Sequence, residues 1–283
     1  MKSIVSALIT AAALAVPVSA QTILFNDFSS TAGLQLNGNA AGVGNVLRVT
    51  PATFNQAGSA FSTTAVNLAI DASFSTFFTF RITNSGGIID GDGTGADGLT
   101  FTVQTVANTA GGSGGGIGYL GINNSVAVEF DTWDNGLGFG DPDGNHVNFD
   151  YNGTFSSAAG AVGVGNRMNN GSIWSAWVDY NGVTDSLELR LAESSVIRPA
   201  SPILSTVVDL TTVLGSTNAF VGFTSGTGSA WGDHDILSWQ FRGTYDPIID
   251  QPGAVPEPST YGLFAAAFLA AGVALRRRRS AKA

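Results

Sequence analysis

Short runs in which apolar and polar residues alternate fill the central part of the chain, and each run ends near Gly, Asn, Asp or Ser. Alternation with a period of two is typical of β-strands, because successive side chains of a strand point to opposite faces of a sheet. The pattern predicts strands over nine segments: residues 23–28, 74–82, 99–106, 126–132, 146–151, 173–180, 187–191, 220–224 and 236–241. Since no helical period separates them, we expect antiparallel sheets packed face to face, as in a sandwich or jelly roll.

The composition agrees with a single all-β domain. The chain of 283 residues contains 37 glycines, which disfavour long helices because glycine weakens a helix interior. Its 18 Phe and 5 Trp are enough to fill a large core. There is no cysteine, which excludes disulfides, thiolate metal sites and a cysteine nucleophile.

Charge is distributed unevenly along the chain. Residues 21–245 hold six arginines, no lysine and 18 of the 21 carboxylates, so this part has a formal charge of −12. Nucleic-acid affinity depends on Lys and Arg side chains that neutralise phosphates. We therefore expect cations as partners of this domain, and no nucleic acid.

Residues 1–20 have the features of a secretory signal peptide. Lys2 precedes an apolar run over residues 4–16, and the small residues Val18, Ser19 and Ala20 form a cleavage site. We expect Gln21 to open the mature chain and a single β-sandwich domain to occupy residues 21–245.

Residues 246–283 are predicted to be a linker and a sorting tail. Pro-Glu-Pro at 256–258 precedes an apolar run over residues 261–275 and four arginines at 276–279. The apolar run is predicted to be a membrane helix, since arginines at its end can reach the aqueous interface. These three parts in this order resemble the PEP-CTERM tail of Gram-negative bacteria. The resemblance implies a transient inner-membrane anchor, processing by an exosortase-type protease, and delivery to the cell envelope, outer surface or extracellular matrix.

Six of the 21 carboxylates lie within residues 126–150, a segment without a basic side chain. Glu129 and Asp131 would project from one face of their predicted strand, where they repel each other unless a cation neutralises them. Asn135, Asp141 and His146 follow in a glycine-rich loop. Oxygen donors suit Ca²⁺, and an imidazole among carboxylates suits a transition metal such as Mn²⁺. The residues predict a metal site, with a solvated acidic loop as the alternative.

The same segment resembles the metal-binding segment of legume-type (L-type) lectins, whose fold is a concanavalin A-like jelly-roll sandwich. The matching residues are VAVEFDTWDN at 126–135, Asp141-Pro142 and HVNFD at 146–150. Three further segments resemble parts of that family in the family's order: its sugar-binding aspartate turn (residues 96–101), its glycine loop (114–119), and its closing loop with the last strand (221–224 through 234–239). Together with the opening strand, the similarity covers residues 21–243.

The resemblance implies two bound metal ions. The transition-metal position, for Mn²⁺ or another divalent ion, would use four side chains: Glu129, Asp131, Asp141 and His146. The Ca²⁺ position would use three side chains and the main-chain carbonyl of Trp133: Asp131, Asn135 and Asp141. The loop from Asn135 to Asp141 is one residue longer than the commonest spacing in the family, and Asp143 is the alternative to Asp141.

The resemblance also assigns a carbohydrate site. Asp97 would accept hydrogen bonds from two sugar hydroxyls, while Asn135 and the main-chain N–H of Gly115 or Gly116 would donate. Trp133 would stack on the apolar face of the sugar. Residues 226–231, including Ser229 and Ala230, would form a variable wall that sets sugar preference. The family also has a cis peptide bond before its binding aspartate, here between Ala96 and Asp97.

The function implied is that of a secreted lectin that binds glycans or exopolysaccharide without catalysis. One alternative is a glycoside hydrolase on the same sandwich, because Glu129 and Asp131 supply two members of a Glu-x-Asp pattern. Such an enzyme would give no role to Asn135, Asp141 or His146. A second alternative is a matrix protein in which metal only stiffens the fold and no sugar is bound.

Overall fold

The computed structural model describes residues 21–68, 71–111, 116–155 and 160–249. The predicted signal peptide (1–20), the apolar run (261–275) and the arginine cluster (276–279) lie outside these ranges. Within the described ranges, no helix combines the length and hydropathy that a membrane crossing requires.

The described residues form sixteen strands and one short helix. In chain order the strands are β1 (Thr22–Phe25), β2 (Leu34–Gly38), β3 (Ala41–Val43), β4 (Val46–Thr50), β5 (Ala57–Ser62), β6 (Val66–Asn67), β7 (Phe74–Gly87), β8 (Gly98–Gln104), β9 (Ser125–Asp131), β10 (His146–Tyr151), β11 (Val162–Gly163), β12 (Trp174–Asn181), β13 (Ser186–Glu193), β14 (Leu204–Val207), β15 (Asn218–Gly226) and β16 (Ala230–Arg242). Helix α1 (Leu210–Leu214) begins after Asp209, whose carboxylate accepts a hydrogen bond from Thr212 N–H, and ends at Gly215.

Two sheets pack face to face, and every strand pairing among the described residues is antiparallel. The front sheet has the order β11-β10-β9-β8-β15-β5-β2, with β6 also paired to β15. The back sheet has the order β14-β13-β12-β7-β16-β4-β3, with β1 also paired to β16. The predicted all-β sandwich of antiparallel sheets is therefore confirmed.

Each of the nine predicted segments contains a strand, and seven further strands were not predicted. Strand β5 has the sequence AGSAFS, in which Phe61 is the only large apolar residue, so no alternation of apolar and polar side chains marks it as a strand. Strands β3, β6 and β11 have only two or three residues, too few for any period to be recognised.

Aromatic rings fill the space between the sheets. Phe78 of the back sheet meets Phe130 and Phe223 of the front sheet edge to face, with centroid distances of 5.7 and 5.0 Å. Phe223 in turn packs edge to face on Trp239, at 5.0 Å. These rings are fully buried and join the two sheets at the centre of the core.

Strand β9 contributes to this core with one face and to a polar cluster with the other. Val128 and Phe130 point into the core, so Glu129 and Asp131 point away from it. The register places Thr100 and Asn148 beside Glu129, and Gly98 and His146 beside Asp131. Polar side chains of three adjacent strands thus meet on the far face of the front sheet.

The chain leaves the sandwich over the outer face of the back sheet. After β16, Arg242 pairs with Asp246 at 2.7 Å, and the Asp246 N–H donates to Ser75 Oγ. Ile248 then packs on Trp177 and Phe77, which are buried on the outer face. The described chain therefore remains in contact with the back sheet as far as Ile248.

Removing the Phe78 ring should destabilise the domain strongly, because it leaves a cavity between the two sheets. We expect Phe78→Ala to lower the free energy of unfolding by about 3–5 kcal/mol, measured by urea denaturation. Val183→Ala is the control: Val183 is 82% exposed, and its loss should change stability by less than about 0.5 kcal/mol. Equal stability of the two variants would contradict this account of the core.

Candidate functional site

Three buried side chains at the ends of adjacent strands form the centre of the site. Glu129, Asp131 and His146 each expose 2% or less of their surface, and one donor atom of each lies within 4.8 Å of the others. Glu129 Oε2 and His146 Nε2 have no hydrogen-bond partner among the described residues. Buried polar atoms without partners are costly, so this group has the features of a ligand set.

His146 is oriented by its own loop. Its Nδ1 lies 2.8 Å from the main-chain oxygen of Asp143, a carbonyl that can only accept a hydrogen bond. Nδ1 therefore donates to this carbonyl, and Nε2 is the ring nitrogen that points toward the carboxylates. Nε2 lies 3.6 Å from Asp141 Oδ1 and 3.9 Å from Glu129 Oε2. A carbonyl behind the imidazole is the usual support for a metal-binding histidine.

The loop between β9 and β10 folds around the same carboxylates. Asp131 Oδ1 accepts from Trp133 N–H, and Asp141 Oδ2 accepts from Asn135 N–H, both at 2.6 Å. Asp141 is 4% exposed and lies in the cluster, whereas the Asp143 side chain is 43% exposed and faces His146 Nδ1. The structure thus brings Asp141 together with Glu129 and Asp131 on the Nε2 side of His146, whereas the Asp143 carboxylate lies on the Nδ1 side.

Burial favours the protonated form of these carboxylates. Burial, and next the neighbouring Asp150, raise the pKa of Glu129, while burial and Asp141 raise the pKa of Asp131. Burial also raises the pKa of Asp141, although Asn135 N–H and His146 oppose the effect. Such a set is stabilised in its ionised form by a cation, and its O and N donors fit the requirements of Ca²⁺ and a transition metal.

Asp97 lies next to this cluster at the start of β8. Its main-chain N–H donates to Gly226 O at 3.1 Å, and its carbonyl accepts from Thr132 N–H at 2.8 Å. The Ala96–Asp97 peptide bond is cis, as the resemblance predicts. Asp97 Oδ2 is buried without a partner among the described residues, and burial raises the pKa of Asp97 to about 6.

A single cavity connects Asp97 to the acidic cluster. Its lining consists of Asp97, Gly116, Ile117, Glu129, Asp131, Asn135, Phe139, Asp141 and Phe155. Of the predicted sugar-binding residues, it thus brings together Asp97, Asn135 and Gly116. Gly115 lies outside the described residues. Trp133 is half-buried beside Asp131, to which its N–H donates.

The predicted wall stands next to Asp97. A Cβ added to Gly228 would lie 3.6 Å from Asp97 Oδ2, so this loop lies directly beside the carboxylate. Ser229 is exposed, whereas Ala230 is buried at the start of β16.

Sequence reasoning missed three residues of this region. Phe139 and Phe155 supply the aromatic surface of the cavity, with centroids 6.2 Å apart. Phe139 is the only aromatic residue between Asn135 and Asp141, and this position in the predicted metal-binding loop could have indicated a contact with the sugar. Asp150 is fully buried near Glu129, and burial raises its pKa to about 7.

Comparison with known sequences identifies the class of protein. The legume lectin domain family matches residues 20–253, and the PEP-CTERM protein-sorting motif matches residues 254–279. The chain therefore belongs to the legume lectin domain family and carries a PEP-CTERM motif after the domain. Both resemblances found in the sequence are confirmed.

Its similar proteins are plant lectin-domain proteins. The chain is 34% identical over 223 residues to the L-type lectin-domain containing receptor kinase VIII.1 of Arabidopsis thaliana, an alignment that covers 77% of this chain and 29% of the relative. It is 36% identical over 194 residues to receptor kinase S.7 of Oryza sativa subsp. japonica, covering 65% of this chain and 26% of that protein. The chain thus spans less than a third of the length of these relatives.

Solved lectin structures match almost over their full length. Lectin II from Ulex europaeus superimposes with a TM-score of 0.64 at 26% identity, covering 78% of this chain and 97% of that one. The lectin from Bauhinia forficata in complex with GalNAc gives a TM-score of 0.65 at 25% identity, covering 79% and 98%. Lectin I-B4 from Griffonia simplicifolia in its metal-free form gives 0.65 at 26%, covering 78% and 98%. These comparisons support a carbohydrate-binding lectin and do not favour either alternative function.

Calcium should stabilise the domain more at high pH than at low pH. In the metal-free protein, Asp97 and Asp150 have pKa values of about 6 and 7, raised from 3.8. The native state thus holds protons that the unfolded chain releases, and its stability falls as pH rises through this window. A bound cation would replace the protons of its ligands Glu129, Asp131 and Asp141, whose pKa values burial also raises. Its charge would also favour the ionised forms of the nearby Asp97 and Asp150. We expect the rise in Tm on adding calcium to be several degrees larger at roughly pH 8 than at roughly pH 5.

The measurement is a thermal melt with calcium and with chelator at each pH. His234 is buried outside the cluster with a pKa lowered to about 4, and it destabilises the folded domain at low pH whether or not calcium is present. Its contribution therefore cancels in the difference between the two melts. The same calcium effect at both pH values would show that the buried carboxylates do not take up the ion.

Proposed function

We propose that this chain is a secreted carbohydrate-binding lectin with a metal-organised site and no catalytic activity. The observation that carries the proposal is the shared cavity of Asp97 and Asn135 with the buried ligand cluster. Asp97 presents an unpartnered carboxylate oxygen to this cavity. A carboxylate oxygen that has no partner and lies beside a cation site can accept hydrogen bonds from hydroxyl groups, which are neutral donors.

The donor set supports two cation positions. Glu129, Asp131, Asp141 and His146 would hold a divalent transition metal such as Mn²⁺. Asp131, Asn135, Asp141 and the Trp133 carbonyl would hold Ca²⁺. Bound cations would neutralise the buried carboxylates and fix the loop that carries Asn135. The hydrogen bonds from Trp133 and Asn135 N–H to the same carboxylates support this arrangement, since they already fold the loop around the ligand atoms.

The sugar would be held by complementary polar and apolar groups. Asp97 accepts from two hydroxyls, while the Asn135 amide and the N–H of Gly115 or Gly116 donate to sugar oxygens. Trp133 is the proposed stacking residue, and Phe139, which lines the cavity and is 42% exposed, offers a second ring to the apolar face of a sugar. Ser229 and Ala230 belong to the wall of residues 226–231 that borders Asp97. Hydrogen-bond donors and acceptors around one aromatic surface fit the hydroxyl groups and the apolar face of a neutral saccharide.

Burial argues against the hydrolase alternative. A retaining glycosidase needs two carboxyl groups that flank the scissile bond about 5–5.5 Å apart. Glu129 and Asp131 are each 2% exposed and are grouped with His146 and Asp141. A substrate cannot enter between such carboxylates, whereas a metal ion can, so the site favours binding over hydrolysis.

The ends of the chain would determine where the lectin acts. We propose that residues 1–20 direct secretion, that residues 21–245 form the lectin domain, and that residues 246–283 form a linker and tail. The PEP-CTERM motif supports processing by an exosortase-type protease after a transient membrane anchor at residues 261–275. The partners would then be glycans or exopolysaccharide at the cell envelope or in the extracellular matrix. The excess of carboxylates argues against nucleic acid.

Removing the metals should abolish sugar binding. We expect exhaustive chelation at neutral pH to eliminate retention on a glycan array, and added calcium to restore it, because the loop that carries Asn135 depends on the cations. Host polysaccharides and self-produced matrix should both be represented on the array. Magnesium is the matched control, since it prefers waters and a stricter geometry and should restore little. Full glycan retention after chelation would refute the metal-organised site.

Replacing Asp97 should abolish sugar binding without removing the metals. Asp97→Asn keeps the side-chain shape but loses one of the two acceptor oxygens, and we expect glycan retention to fall at least about a hundredfold (roughly 3 kcal/mol). Calcium affinity, measured by titration calorimetry, should stay within about threefold of wild type. Asp27→Asn, in an exposed turn away from the site, is the control. A protein that binds calcium but gives equal glycan readings for all three forms would be a metal-stiffened matrix protein.

A further inference from the structure

The loop between β7 and β8 (residues 88–97) touches the metal-binding loop through two carboxylates that have no role in the proposed site. We propose that Asp90 and Asp92 are positioning residues that hold both ends of the loop formed by residues 132–145 in its cation-binding shape. This inference rests on the proposed function and adds to it the residues that make the calcium site stable.

Asp92 holds the second end of the metal-binding loop. Its Oδ2 accepts from Gly144 N–H at 2.7 Å. Gly144 follows Asp143, whose carbonyl orients the His146 imidazole. A displacement of Gly144 would therefore move the group that directs His146 Nε2 toward the cluster.

Asp90 holds the first end of the same loop. Its Oδ2 accepts from Asp134 N–H at 3.1 Å, between the proposed ligands Trp133 and Asn135. Its Oδ1 accepts from Asp92 and Gly93 N–H, both at 2.9 Å. Asp90 is thus fixed within its own turn, and it can act as a rigid support for the neighbouring loop.

Gly144 lies directly against both carboxylates of the neighbouring loop. A Cβ at Gly144 would overlap Asp90 Oδ2 and would lie 3.0 Å from Asp92 Oδ2. A side chain at position 144 would therefore displace the Asp90 carboxylate and press on that of Asp92. A substitution at Gly144 would thus disturb the hydrogen bonds accepted by Asp90 and by Asp92 without changing any charge.

The loop of residues 88–97 also ends at the sugar-binding carboxylate. Its last residue is Asp97, and its first, Ile88, donates its N–H to Ser229 O in the wall at 3.2 Å. One short segment thus contacts the metal-binding loop, the wall and the proposed sugar. Through Asp90 and Asp92, the shape of the calcium site is coupled to the position of Asp97.

Two carboxylates near a cation would also raise its affinity by simple attraction, so the test must separate position from charge. Asp92→Asn removes the charge but keeps an acceptor for Gly144 N–H, whereas Asp92→Ala removes both. If positioning is the cause, calorimetry should show calcium affinity about tenfold weaker for Asp92→Ala and within about twofold of wild type for Asp92→Asn. Equal losses in the two variants would overturn the proposal in favour of attraction alone.

Gly144→Ala is a second test, because it blocks the approach of the loops without changing any charge. We expect calcium affinity to fall about tenfold here too. Asp27→Ala is the control, since Asp27 supports only its own exposed turn through Ser29 N–H, and its affinity should equal that of wild type. Wild-type affinity in Gly144→Ala would count against the proposal, even if Asp92→Ala is weakened.

Glycan retention at saturating calcium distinguishes positioning from unfolding. Asp92→Ala should recover wild-type retention once calcium fills the site, while Asp97→Asn should not recover at any calcium concentration. Loss that calcium cannot restore would overturn the positioning role. Wild-type protein that binds no calcium would refute the proposed function itself, whereas normal wild-type binding with unchanged Asp92→Ala would refute only this inference.

Discussion

The burial of several carboxylates at one end of the front sheet is the constraint on which the site depends. Glu129, Asp131 and Asp141 lie together with little exposure, and no basic side chain occurs within residues 126–150. Ionised carboxylates are stable in such a place only beside a cation, and protonated ones only at a cost in hydrogen bonding. The orientation of His146, the folding of the loop onto Asp141 and the unpartnered oxygen of Asp97 are all arranged around this concentration of negative charge.

The same strand that provides these carboxylates also provides the centre of the core. In β9, Phe130 packs on Phe78 between the sheets, while its neighbours Glu129 and Asp131 face the cavity. Because side chains alternate along a strand, a shift of one residue would exchange core and ligand positions. The hydrophobic packing therefore fixes the register of the ligands, and it holds them in place before any cation binds.

The sequence was sufficient to predict the strands in which large apolar residues alternate with other residues, and the ligand types, because both leave local signals. Alternation identified β9 and β10, and the acidic segment with His146 identified the cluster that the fold assembles. Strands such as β5 escaped prediction because they consist mostly of small residues, so no apolar period marks them. The contacts of Asp90 and Asp92 escaped for a different reason. Their roles depend on tertiary approach between separate loops, as in the hydrogen bond from Gly144 to Asp92, which no spacing along the chain reveals.

The last strand relates the site to the sorting motif. Strand β16 starts at Ala230, in the wall beside Asp97, and ends at Arg242, after which Ile248 packs on the outer face of the back sheet. A strand of thirteen residues extends roughly 40 Å. The matched sorting motif begins at residue 254, a few residues beyond this packed segment. Asp97, the proposed sugar-binding residue, therefore lies near one end of β16, and the last described residues follow its other end. A membrane anchor in the tail would thus not need to cover the proposed cavity.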